Sequence, residues 1–203
     1  NKFSHLWMGT IVGQRRTGLN EVNQPPIISI VGYSGAGKTT LMEKLIGELT
    51  RRGYRVGSIK HDVHGFEMDK PGKDSWRHKQ AGSCTTLISS PYQIGMVMDV
   101  DHDHSPDELR KFFNNVNVIL TEGYKKQNRP KVEIFRSEIH DEPLCRNDNN
   151  VIAVMSDIPV ELEARRFSLD DVVGLIDFLI EKFGLDHGSQ TSESPAETWA
   201  SKA

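Results

Sequence analysis

The chain has 203 residues, with 25 Lys and Arg against 28 Asp and Glu, and its formal charge of −3 offers no general field for nucleic acid or an anionic membrane. Two cysteines, Cys84 and Cys145, without Cys-x-x-Cys spacing argue against a disulfide framework and against a structural zinc cage. The length suits one domain with its own core, and no apolar run approaches a membrane span, so a soluble cytoplasmic protein without nucleic-acid or membrane partners is expected.

Residues 1–24 read as an extension outside the fold, and 25–185 as a single domain. After Pro25-Pro26, the β-branched run Ile27-Ile28-Ser29-Ile30-Val31 predicts a buried parallel strand. Leu41, Met42, Leu45, Ile46 and Leu49 recur at helical spacing and predict a helix that ends at Gly53. A second strand is expected over 54–60, followed by a polar stretch over 61–82 that is too long for a plain connector. Within it, Asp74 is expected to cap a short helix ending at Gln80. Runs over 84–89 and 93–99 predict a hairpin around Pro91. Ser105-Pro106-Asp107-Glu108 joins a capping hydroxyl, a first-turn proline and a third-position glutamate, and predicts a helix reaching about Asn114. Apolar strands are expected over 116–121 and 151–155, with another over 131–136. Ser168 and Asp171 signal a helix through Phe183, with Val172, Leu175, Ile176, Leu179 and Ile180 on its apolar face and Gly184 at its end. The tail over 186–203 carries little apolar surface and is expected to be disordered.

Chemistry enters at Gly32-Tyr33-Ser34-Gly35-Ala36-Gly37-Lys38-Thr39, a full G-x-x-x-x-G-K-[ST] phosphate-binding loop between a strand and an amphipathic helix. Its glycines permit backbone angles that aim successive N–H groups inward, and the following helix adds its positive end. The motif residues through Thr39 are expected to hold phosphate. Lys38 bridges the outer phosphates, and Thr39 offers its hydroxyl to Mg²⁺. With this loop at its head, the alternation of strands and helices predicts an α/β fold. The expected form is a P-loop NTPase-like three-layer sandwich with a mostly parallel sheet and an antiparallel hairpin.

In such sheets ligands sit beyond the carboxyl ends of the strands. Glu122, directly after Val118-Ile119-Leu120-Thr121, is therefore a candidate for orienting metal or water, and with Lys38 it is the candidate catalytic residue. Asp62, after the second strand, is a further metal candidate, set against a plain turn aspartate before His64-Gly65. Asp157, after the strand over 151–155, could accept from the N1 and N2 donors of guanine and would repel adenine; the alternative is a turn cap before Pro159. Lys70, Lys73, Arg77 and Lys79 form a basic stretch that can grip an anion or serve as a solvated helix face. The run Asp99-Val100-Asp101-His102-Asp103-His104 has the donors of a metal site, although a hydrated turn ahead of a helix cap reads more simply; the same choice applies to His61 and His64.

Over 27–185 these residues resemble the MobB family, adaptors of molybdopterin-guanine dinucleotide biosynthesis. The resemblance runs through Gly-Tyr-Ser-Gly-Ala-Gly-Lys-Thr-Thr, Ile59-Lys60-His61, Asp69-Lys70-Pro71-Gly72-Lys73-Asp74-Ser75, Leu120-Thr121-Glu122-Gly123-Tyr124-Lys125 and Val151-Ile152-Ala153-Val154-Met155-Ser156-Asp157. It implies a homodimeric GTP-binding protein with weak hydrolysis, which assists a MobA-type guanylyltransferase in joining GMP to molybdopterin. It also implies phosphate binding by Gly35, Ala36, Gly37, Lys38, Thr39 and Thr40, Mg²⁺ at Thr39 and Glu122, and a nucleotide or pterin contact from the segment around Lys73. Position 33 is Tyr and not Lys, so the family of ATPases with a second loop lysine is not matched.

Two other readings stay open on the residues. A small-molecule kinase shares the loop but needs an arginine-bearing lid, for which only Arg129, Arg136 and Arg146 lie in the expected region. A metal-delivering accessory GTPase would use the histidines around His61 or His102 and ideally a cysteine pair that is missing here.

Overall fold

The computed structural model describes residues 24–186. Apart from Gln24 and Asp186, the expected extension and tail lie outside the described residues.

The first apolar run forms β1 (Ile27–Val31), buried along its whole length. It lies between two parallel neighbours, β5 (Val118–Glu122) and β6 (Lys131–Phe135). β2 (Val56–Lys60) flanks β5, while β7 (Val151–Ser156) and β8 (Arg165–Phe167) extend the sheet beyond β6, giving the order β2-β5-β1-β6-β7-β8. Every pairing in this sheet is parallel. Successive connections leave β1 in opposite directions, so the crevice beyond its carboxyl end is the topological switch point where such folds bind ligands.

The two-residue period of β1 divides its side chains between two faces. Ile28 and Ile30 join the main core with Leu41, Leu45 and Leu49 of α1 (Lys38–Arg51) and Leu175, Ile176 and Leu179 of α4 (Val172–Phe183). On the other face Ser29 accepts a 2.9 Å hydrogen bond from the buried Thr121 hydroxyl, and Val31 packs with Cys145 and Val151. On that second face the irregular segment 136–150 packs through Leu144 and Cys145, and Phe113 packs at Gly57, following α3 (Pro106–Leu109) and its 3-10 continuation. Phe113 closes over Gly57 so tightly that a Cβ there would stand 2.5 Å from the ring.

β6 is fully buried although it carries Lys131 and Glu133. Both charges are satisfied locally, as burial requires. The Lys131 ammonium donates to the Gln127 carbonyl and, at 2.7 Å, to Asp148, while the Glu133 carboxylate accepts from the backbone N–H groups of Leu144 and Cys145. The 136–150 segment is thus fastened to the sheet by a buried carboxylate.

The expected hairpin is β3 (Thr85–Ser89) and β4 (Ile94–Met98), a separate antiparallel sheet packed against α2 (Asp74–Gln80). Some local expectations change. Lys73, and not Asp74, occupies the cap position of α2, with Asp74 already the first helical residue. The capping box at Ser105 and Glu108 forms as expected, but α3 tightens into a 3-10 turn over Arg110–Phe112 and does not reach Asn114. α4 is capped by Asp171, whose side chain accepts from the Gly174 N–H at 2.9 Å, and Ser168 stands outside. β8 was not anticipated, because Arg165-Arg166-Phe167 is too short and too charged to show an apolar period. Among the described residues no helix is long and apolar enough to cross a membrane.

Candidate functional site

The phosphate-binding loop leaves β1 through three glycines with positive φ: Gly32 (147°), Gly35 (80°) and Gly37 (99°). Gly32 is needed twice over, since a Cβ there would come within 2.4 Å of the Ile134 carbonyl oxygen. Gly37 stands in the left-handed region at the cap of α1 with no side-chain capping bond, so the first N–H groups of the helix are left for a ligand. The Lys38 ammonium folds back across the loop and donates to the Tyr33 carbonyl at 2.8 Å. Burial lowers its pKa from the usual lysine value, opposed by Glu122 and assisted by Lys125, which places both charges within electrostatic range of Lys38.

Thr39 donates to Glu122 at 2.8 Å, joining the loop side of α1 to the end of β5. Two of the expected metal-site residues are therefore brought together. Asp62 is not directed there: its carboxylate accepts from the His64 N–H at 2.9 Å, a local turn. It nonetheless lies just past the end of β2, where the His61 N–H donates to the Glu122 carbonyl at 3.0 Å. Thr40 is exposed on the first turn of α1, and Ala36 is buried beneath the loop.

Asp157 lies past the end of β7, at the ligand edge of the sheet. It accepts from both the N–H (3.0 Å) and the hydroxyl (2.9 Å) of Ser137 past the neighbouring strand, and these bonds hold its carboxyl below the usual aspartate range. It is thus a negative charge tying two strand ends together through Ser137. Lys73 is exposed and starts α2, whose packing partner is β3. The neighbouring Asp69 and Ser75 line a small cavity against the hairpin with Thr86, Ile88 and Val97.

Further residues converge on the site that the sequence did not assign to the nucleotide. Arg136, one position past β6, donates from Nε to the Ala36 carbonyl at 3.1 Å and sets a guanidinium against the loop. Its only sequence cue is its place at the end of a strand. The Tyr33 ring stacks on His140 with centroids 3.4 Å apart, fixing the loop to the 136–150 segment. From Tyr33 a groove of about 770 Å³ opens along the second face, lined by Lys125, Lys126, Leu144, Cys145 and Arg146 among others. His61 stacks on Tyr124 at 4.2 Å beside the exit of β5.

Comparison with known proteins agrees with this geometry. The family model described as "MobB: Molybdopterin guanine dinucleotide synthesis protein B" matches residues 27–157. The molybdopterin-guanine dinucleotide biosynthesis adapter protein of Haemophilus influenzae is 36% identical over 170 residues, covering 83% of this chain and 95% of that protein. Its namesake in Escherichia coli is 36% identical over 161 residues, covering 77% and 92%. The crystal structure of Bacillus subtilis MobB superposes with a TM-score of 0.64 at 27% identity, over 81% of this chain and 99% of that one.

Proposed function

The chain belongs to the MobB family, and from that membership we propose that it is a GTP-binding adaptor assisting a MobA-type guanylyltransferase, which attaches GMP to molybdopterin. The observation that carries the nucleotide part is the arrangement of Lys38, Thr39 and Glu122 around an uncapped helix start. GTP lies with its outer phosphates in the loop over 35–40, cradled by backbone N–H groups, with Lys38 and the Arg136 guanidinium supplying positive charge. The Thr39 hydroxyl and the Glu122 carboxylate would hold Mg²⁺, being the oxygen donors this cation takes, with Asp62 a further carboxylate candidate; when bound, the ion would supply charge neutralisation. Lys38 and Glu122 are also the residues placed to support hydrolysis, which is expected to be weak. Asp157 selects guanine by accepting from its N1 and N2 donors with the lone pairs that Ser137 leaves free.

Molybdopterin, as an anionic partner of the same reaction, fits the groove beyond Tyr33, where Lys125 and Lys126 offer charge-assisted hydrogen bonds next to the phosphate loop. Lys73 is assigned to the pterin or partner side and not to the phosphates, because its helix packs on the hairpin.

A homodimer is supported by the hairpin. Its register puts Met98, Leu87, Met96 and Ile94 on one face, and all four are exposed. A two-stranded sheet with an apolar face is marginal by itself, and a second copy of the same face completes it with two-fold symmetry. A charge placed on that face would be buried twice by the two-fold contact, so Leu87→Lys should yield monomers in sedimentation. Free Cys84 and Cys145 fit a reducing cytoplasm.

A kinase would draw its lid from arginines that are otherwise engaged here: Arg129 pairs with Asp107, Arg146 with Glu142, and Arg136 rests on the loop. The deciding experiment is calorimetric titration with GTP and ATP in Mg²⁺, using the parent, Lys38→Ala and Asp157→Ala. Binding of GTP over ATP by the parent, lost in Lys38→Ala and made unselective by Asp157→Ala, is the expected result. Unchanged GTP affinity in Lys38→Ala would refute the proposal.

A further inference from the structure

The histidines between β4 and α3 play no part in the nucleotide reading, yet their side chains are oriented in a particular way. His102 Nδ1 lies 2.6 Å from the Asp101 carboxylate, and His104 Nδ1 lies 3.1 Å from the His102 carbonyl oxygen. Both partners can only accept, so in both rings Nδ1 is the donor nitrogen and Nε2 is the nitrogen left to face outward. Glu108 is divided in the same manner. Its Oε2 accepts from the N–H and hydroxyl of Ser105, each at 2.8 Å, while Oε1 faces His102 Nε2 at 2.9 Å. In the metal-free protein a proton on Nε2 fills that contact, and a divalent cation would take its place.

One ligand atom from each of His102, His104 and Glu108 lies within 4.8 Å of the others, and the two imidazoles stack with centroids 4.0 Å apart and planes 11° from parallel. Bonds of ~2.0–2.2 Å to a tetrahedral ion need ligand atoms roughly 3.4 Å apart, which side chains at the surface reach by small rotations. We propose that His102, His104 and Glu108 form a divalent transition-metal site of the zinc class, with a fourth position open to water or a partner's ligand. Asp101, the His102 carbonyl and Ser105 hold the three ligands from behind, the outer arrangement that orients metal-binding imidazoles and carboxylates. Imidazole donors separate this site from the oxygen-only Mg²⁺ site at Thr39.

The site is tied to the rest of the fold. Tyr124 donates to the His104 carbonyl at 2.9 Å, and Asp103 meets His61 Nε2 at 3.1 Å from the opposite side of the same loop. An ion here would brace the 99–108 loop internally, while those two contacts hold the loop against the exits of β2 and β5.

The test is titration of the metal-stripped full chain with Zn²⁺ against a chromophoric chelator, without nucleotide, together with the visible spectrum of the Co²⁺ form. Wild type should bind one equivalent that is weakened at least tenfold in both His102→Ala and His104→Ala, with Co²⁺ bands of tetrahedral intensity. His64→Ala should bind as the parent does. Glu108→Gln is preferred to Ala because the amide can still accept from Ser105, and circular dichroism checks that the variants are folded. Asp101→Asn should weaken binding by a smaller factor. Equal Zn²⁺ affinity in the parent and a folded His102→Ala/His104→Ala variant, or an octahedral aquo-type Co²⁺ spectrum, would overturn the proposal.

Discussion

The hydroxyl of Thr39 donates to the carboxylate of Glu122 across 2.8 Å, although 83 positions separate them in the chain. Parallel pairing of β1 with β5 brings them together: Ile30 is in register with Glu122, so the strand that launches the phosphate loop ends beside the strand that delivers the acid. Thr39→Ala and Glu122→Gln should each weaken Mg²⁺-dependent GTP binding by about 10- to 100-fold, with little change when Mg²⁺ is omitted. Titration with and without Mg²⁺ separates a metal role from a purely structural bond, which would show the same loss in both.

Gly32 is the tightest point of the loop. Gly32→Ala places a methyl group against the Ile134 carbonyl in a backbone region that L-residues avoid. A loss of about 1–3 kcal/mol is expected, together with weakened nucleotide binding. Urea unfolding measures the first; an unchanged midpoint would mean that β1 and β6 can separate without cost.

Leu45 is fully buried between α1, α4 and the sheet. Leu45→Ala should destabilise by about 2–5 kcal/mol while leaving the loop chemistry intact once folded. Thermal unfolding with and without GTP would show a lowered midpoint in both conditions and a preserved upward shift with ligand.

Glu133 provides a pH readout. Burial pushes its carboxyl above the usual glutamate range, against the opposing pull of the Cys145 and Leu144 N–H groups. The folded state therefore holds this proton more tightly than the unfolded chain does. Its favourable contribution is complete below the ordinary glutamate pKa and is lost as pH rises through the raised folded value. The parent's urea midpoint should accordingly fall relative to that of Glu133→Gln as pH is raised from about 4 to 7; a pH-independent difference between the two proteins would contradict the assignment.

Cys145 should be far less reactive than Cys84. Burial first, and then Glu133 and Asp148, push its thiol up to about 11, whereas Cys84 is exposed. At pH 8 a thiol-modifying reagent should label Cys84 readily and Cys145 only in denaturant. Equal labelling rates in the folded protein would show that the 136–150 segment opens freely.

What the sequence determined by itself is what depends on neighbours along the chain. The β-branched run, the helical period from Leu41 to Leu49, the capping box at Ser105 and the glycine-rich loop are each written within a dozen residues, and each formed where its pattern lies. β8 and the exact cap of α4 were harder to see because charged edge strands and competing caps carry no period. Tertiary structure alone decided which strand ends meet. Parallel strands are joined through crossovers, so the partner of Thr39 is set by strand order, which local spacing does not encode. That order placed Glu122 on Thr39, Arg136 on the loop and Asp157 on Ser137. It left Lys73 with the hairpin. The folded loop ahead of α3 also brought His102, His104 and Glu108 together, because side-chain direction there depends on which hydrogen bonds the loop satisfies.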